Sequence, residues 1–213
     1  MALNKLKFNS INVTPAASEA LKFNSSADGF ETGSAGGAMT FISKQTASSS
    51  STISFTSGID STYKEYIFHF NNIHPATDNA EFSFQGNAAG GSGYNETITS
   101  HQFETYHTED GSSTSLAYKT ARDQSQGTGF QTLALPTHED DNGASGFLHL
   151  FNPSSTTFVK HFIAKVQTVN SDTYCTCNFT AGYFNTTSAI DEIQFKMSSG
   201  NIDAGTITLY GIN

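Results

Sequence analysis

The chain reads as all-β: an antiparallel two-sheet sandwich of jelly-roll type, carrying an extended N-terminal arm. Three observations predict this. Apolar and polar residues alternate at period two from about Met39 to the C-terminus, and no run places apolar residues at i, i+3, i+4 and i+7. Composition suits a pleated, half-buried surface, with Ser and Thr together about a quarter of the 213 residues and Phe far commoner than Leu. The first 37 residues follow a different pattern: Leu6-Lys7-Phe8-Asn9-Ser10 recurs as Leu21-Lys22-Phe23-Asn24-Ser25 and leads into a Gly- and Ser-rich stretch.

Residues 1–37 are therefore the arm and its linker, and 38–213 the sandwich. An arm too poor in apolar residues to build its own core must bury Leu6, Phe8, Leu21 and Phe23 against a partner. In the sandwich the first strands fall at Met39 to Gln45 and Thr52 to Thr56, either side of the serine run Ser48 to Ser51. Tyr63 to Phe70 follows, with Tyr66, Phe68 and Phe70 on one face, and is expected to end before Pro75 because proline removes a ladder donor. Ala80 to Gln85 and Asn95 to His107 flank a Gly-rich loop. The polar region Thr108 to Thr128 holds at most one short strand, near Leu116 to Lys119. Phe130 to Leu135 closes at Pro136, before the acidic loop His138 to Gly143. The strongest patterns come last: Gly146 to Phe151, Phe158 to Val169, Cys175 to Phe184, Ile190 to Met197 and Thr206 to Ile212. Many short strands with turn signals between them fit a sandwich.

Charge narrows the function classes. The formal net charge is −9, and the ten Lys and Arg are scattered singly, which argues against nucleic-acid binding by phosphate neutralisation. No segment approaches the ~18 apolar residues of a membrane span, and no apolar run follows Lys5 and Lys7 to make a signal peptide. Cys175 and Cys177, at i and i+2 of a strand, share a face as reduced thiols and make neither a disulfide nor a zinc site.

Residue clusters suggest several chemistries, each with a commoner structural role. Glu139, Asp140, Asp141 and Asn142 could offer oxygens to calcium, but they lack the spacing of a calcium loop and read as a solvated hairpin tip. His69, His149 and His161 lie within strands, where a hydrogen-bonded imidazole is commoner than a metal ligand. His101 and His107 sit on a mixed surface with Phe103 and Glu104. Glu81, Glu96, Glu104, Asp191 and Glu192 contain enough carboxylates for a glycosidase pair, with no cleft legible around them. No nucleophile elbow, phosphate loop or dinucleotide fingerprint occurs. Neither an enzyme nor a cofactor is expected. Tyr94, Tyr106, Tyr118 and Tyr174 are the candidates for ligand-facing loops that meet a glycan.

Three segments carry a resemblance: Ile53-Ser54-Phe55-Thr56-Ser57-Gly58-Ile59-Asp60-Ser61-Thr62-Tyr63, Phe151-Asn152-Pro153-Ser154-Ser155-Thr156-Thr157, and Gly182-Tyr183-Phe184-Asn185-Thr186-Thr187-Ser188-Ala189-Ile190. With the closing Gly205-Thr206-Ile207-Thr208-Leu209-Tyr210-Gly211-Ile212, they resemble virion structural proteins of tailed phages, above all cyanophage-like phages of marine bacteria. The resemblance covers most of Phe41 to Ile212. It implies a capsid-decorating knob or head fibre, made in the host cytoplasm and displayed on the virion surface. Its partners would be the major capsid protein or a tail component, and its state a homotrimer. The alternative is a tail-fibre-type receptor-binding protein that recognises host surface polysaccharide. The resemblance transfers no catalytic residues.

Overall fold

A computed structural model describes residues 20–33, 37–136, 142–170 and 173–212. The chain divides into two compact units, Met1–Ala38 and Met39–Asn213.

In the first unit, β1 (Ala20–Phe23) pairs antiparallel with β2 (Phe30–Gly33). This corrects the reading of the second repeat as part of an extended arm with a soft linker after it. The turn is held by Asn24, whose side chain donates to Asp28 Oδ1 at 2.9 Å, and by Ala27 in the left-handed region at φ 57°. Phe23 and Phe30 stack at 4.9 Å across the hairpin, so the Gly/Ser-rich segment contributes a strand through one aromatic pair. Stacking still leaves Phe23 66% exposed, with Leu21 and Phe30 open beside it. Leu6 and Phe8, in the first repeat, lie outside the described residues.

The second unit is a sandwich of two antiparallel sheets. The smaller has the order β10-β6-β14-β4, from β4 (Ile53–Phe55), β6 (Phe82–Ala88), β10 (Gln131–Ala134) and β14 (Ile190–Met197). The larger contains β3 (Met39–Thr46), β5 (Glu65–Pro75), β7 (Ile98–Thr108), β8 (Thr114–Tyr118), β9 (Ser125–Gly127), β11 (Ala144–Phe151), β12 (Lys160–Asn170), β13 (Tyr174–Phe184) and β15 (Ile202–Ile212). Its order is β3-β15-β5-β11-β12-β13-β7-β8, with β9 paired to the far end of β7.

Period-two alternation places Tyr66, Phe68 and Phe70 of β5 and Phe162 of β12 inward, where they meet Phe82, Phe84 and Phe195 of the smaller sheet. The rings pack mostly edge to face, the arrangement their quadrupoles favour.

Proline does not end β5 where the sequence suggests. The strand runs on to Pro75 through a bulge at Asn72, which adopts φ 50°. Opposite it, Gly205 takes φ +111°, and a Cβ there would lie 2.4 Å from the Asn72 carbonyl oxygen. Only glycine lets the two backbones approach this closely. The same irregularity hides the start of β15, which begins at Ile202 rather than Thr206.

Lys160 is an inward residue of β12 with no exposed surface. Its Nζ donates to the carbonyls of Phe158 at 2.7 Å and Thr186 at 3.1 Å, which joins the loops at one end of the sandwich. Burial holds this amine below the usual lysine range.

Candidate functional site

An antiparallel sheet with one solvated face normally turns polar residues outward. The larger sheet departs from this over β7 and β13. On β7, Gln102 and Glu104 point inward while His101 and Phe103 point out. On β13, Asn178 and Thr180 are buried while Phe179 and Ala181 face outward. The inversion produces two features, one on each side of the sheet.

On the inner side lies a buried polar network. The 3-10 turn Thr120–Arg122 lays Arg122 against it, with its side chain 12% exposed. Arg122 Nη1 donates to Glu104 Oε2 at 3.0 Å, Asn178 Oδ1 at 3.1 Å and Gln102 Oε1 at 3.3 Å. Its Nε lies 3.4 Å from Glu81 Oε1, and Thr132 donates to the other oxygen of Glu81 at 2.9 Å. Lys119 Nζ reaches Glu104 Oε1 at 2.7 Å, and Gln102 Nε2 donates to Thr180 at 2.7 Å. Two of the carboxylates noted in the sequence, Glu81 and Glu104, thus meet at one guanidinium. Glu96 accepts the Ala88 N–H at 3.1 Å, and Glu192 accepts from Asn87 at 3.1 Å.

On the outer side, side chains form rows across the strands. One row is Phe41, Tyr210, Ile67, His149, Ile163, Ala181 and His101. The next is Lys44, Thr208, His69, Phe147, Lys165, Phe179, Phe103 and Tyr118. Phe103 and Phe179 stack at 4.8 Å, and Lys165 Nζ sits 5.3 Å from the Phe179 ring centre. Ala181 is the smallest residue in its row, and two adjoining depressions of about 430 and 250 Å³ open around it. Tyr183, His161 and Thr99 wall one side, and Phe103, Phe179 and Lys165 the other. Ile163, half exposed, rises directly beside this trough.

The four candidate tyrosines are not gathered into one site. Tyr94 lies in the loop before β7, with its hydroxyl close to Ser54 and Glu192, and burial pushes its pKa up. Tyr106 and Tyr174 meet at 5.0 Å near the β7–β8 turn, both on strands rather than in loops. Tyr118 is exposed on β8 opposite Phe103, with its hydroxyl close to Asp123.

Among the histidines, His149 Nδ1 contacts Glu65 Oε1, while Ile163 rather than His161 stands opposite it. His161 lies against Tyr183 at 5.9 Å. No group of three or more His, Cys, Asp or Glu able to hold a metal occurs among the described residues. Of the acidic loop, His138, Glu139, Asp140 and Asp141 lie outside those residues. Cys175 and Cys177 are both free thiols on the outer face. Burial raises the Cys177 thiol above its ordinary value.

His69 gives this face a pH dependence. Its ring lies 5.3 Å from Tyr210, and burial first, then the charge of His149, holds its pKa below the ordinary 6.5. A depressed pKa means the folded state favours the neutral ring. This stability is complete above pH 6.5 and is lost as pH falls through the folded value. His69→Gln should therefore flatten the fall in melting temperature as pH drops below 6.5. An unchanged slope would show that His69 does not contribute to it.

No helix among the described residues is long and apolar enough to cross a membrane. The chain matches no family model, no curated protein and no solved structure.

Proposed function

We propose that the protein is a structural component of a phage virion surface: a capsid-decorating knob or head fibre, anchored by its N-terminal unit and displaying its sandwich outward. The observation that carries this reading is the separation of a small unit with exposed Leu21, Phe23 and Phe30 from a large, independently cored sandwich. Exposed rings on a short hairpin suit docking into the major capsid protein or a tail component. They bring apolar area at low conformational cost. The reading includes no catalytic role and no cofactor. The polar groups that converge most closely, around Arg122, hold the β7–β10 region together from inside the sandwich.

The strand order supports a jelly roll. Taking β4 as first, the smaller sheet runs first, eighth, third, sixth as β4-β14-β6-β10. The larger runs second, seventh, fourth, fifth as β5, the meander β11-β12-β13, β7 and β8. That is a double Greek key with its seventh position widened to three strands and with β15 and β3 added outside β5. Jelly rolls recur in capsid and lectin domains, which fits virion display.

The second reading, a tail-fibre-type module for host polysaccharide, draws on exposed Tyr118 and the Tyr106–Tyr174 pair. Immunogold labelling of intact virions separates the two. Label over heads is the expected result, label on tails would favour the receptor reading, and unlabelled particles would overturn both.

A further inference from the structure

The outer face of the larger sheet has the size, chemistry and relief of a protein interface, and we infer that its occupant is a second copy of this chain. The inference goes beyond the reading above and rests on self-association alone, not on attachment to a particle.

The face is large enough for a stable contact. The strands β15, β5, β11, β12, β13 and β7 run side by side. At ~4.8 Å per strand and ~3.3 Å per residue over about ten residues, their outer face spans roughly 900 Å². A stable interface takes about 800 Å² from each partner.

The charge on the face suits that occupant. The row from Phe41 to His101 contains no Asp, Glu, Lys or Arg, and the row beside it carries only Lys44 and Lys165. The nearest carboxylate on this face, Glu65, already contacts His149. Chains of net charge −9 repel wherever their carboxylates meet, so self-association needs a face nearly free of them. Aromatic enrichment with charge depletion is also the composition of interface cores.

The relief of the face suits it as well. Ile163, 50% exposed, projects next to the trough over Ala181. A knob beside a hole is self-complementary: Ile163 of one copy seats over Ala181 of the next, between the Tyr183–His161 and Phe103–Phe179 walls. A two-fold axis then makes the contact twice, with Ile163 of each copy over Ala181 of the other.

Light scattering on the full purified chain tests this. The expected mass is a multiple of 22.8 kDa, and Ile163→Lys and Ala181→Arg should each return it to 22.8 kDa with an unchanged β circular dichroism spectrum. A wild-type mass of 22.8 kDa, or an oligomer that survives both substitutions, overturns the inference. Cross-linking guards against misfolded variants. In a Cys175→Ser/Cys177→Ser background, mixed Ile163→Cys and Ala181→Cys chains should form an oxidised disulfide pair. The absence of that pair overturns the inference. These measurements use free protein, so they stand or fall independently of virion labelling.

Discussion

Phe195→Ala is expected to cost about 3–5 kcal/mol of folding stability, the upper range for a buried aromatic. Phe195 lies on β14, in the middle of the smaller sheet, and reaches both sheets. Its ring centre is 5.3 Å from Phe68 and from Phe70 of the larger sheet, and 5.8 Å from Phe82 beside it. Phe55 and Phe84 complete the surround at 6.3 Å each. Truncation would remove the shared neighbour of five rings held by two β-sheets, which cannot collapse into the space. Phe195→Leu keeps much of the volume and should lose clearly less. Equal losses for Ala and Leu in denaturant unfolding would show that ring contacts, not filled volume, hold the sheets together.

Arg122→Met should also cost about 3–5 kcal/mol, by leaving buried charge uncompensated. The guanidinium serves Gln102, Glu104, Asn178 and Glu81 together. Glu104 is buried, so without Arg122 only Lys119 remains to balance it. Adding Glu104→Gln to Arg122→Met should restore part of the loss, because the charge that needed balancing is gone. A double-mutant cycle should give a coupling of about 1–3 kcal/mol. A loss below about 1 kcal/mol for Arg122→Met would mean that water replaces the guanidinium and that the network is not a true interior.

These two sites differ in how far the sequence reveals them. Tyr66, Phe68 and Phe70 alternate cleanly, so their inward face could be read directly, and Ile190–Met197 is found with its observed bounds. The Arg122 network has no such signature. Thr108 to Thr128 is polar and weakly patterned, and its three-residue strand Ser125–Gly127 shows no alternation. The available signal was the reversed order in Gln102-Phe103-Glu104 and Asn178-Phe179-Thr180, polar inside and aromatic outside. Alternation fixes which residues share a face but not which face is covered, and that depends on partners far along the chain. The bulge at Asn72 and Gly205 shifts the period within a strand, so β5 and β15 are longer than they look. For the candidate tyrosines, sequence places each near a strand end, but only the fold shows that Tyr106 and Tyr174 meet while Tyr94 turns to Ser54 and Glu192.

Attachment through the N-terminal unit can be measured by deleting residues 1–38. The shortened chain and the full chain would be added to particles lacking the protein, and bound copies counted after sedimentation. If the N-terminal unit is the anchor, the shortened chain keeps its β circular dichroism signal per residue and loses binding. Retained binding would contradict it by placing the anchor on the sandwich, and a lost β signal would make residues 1–38 part of the folded core instead of a docking unit.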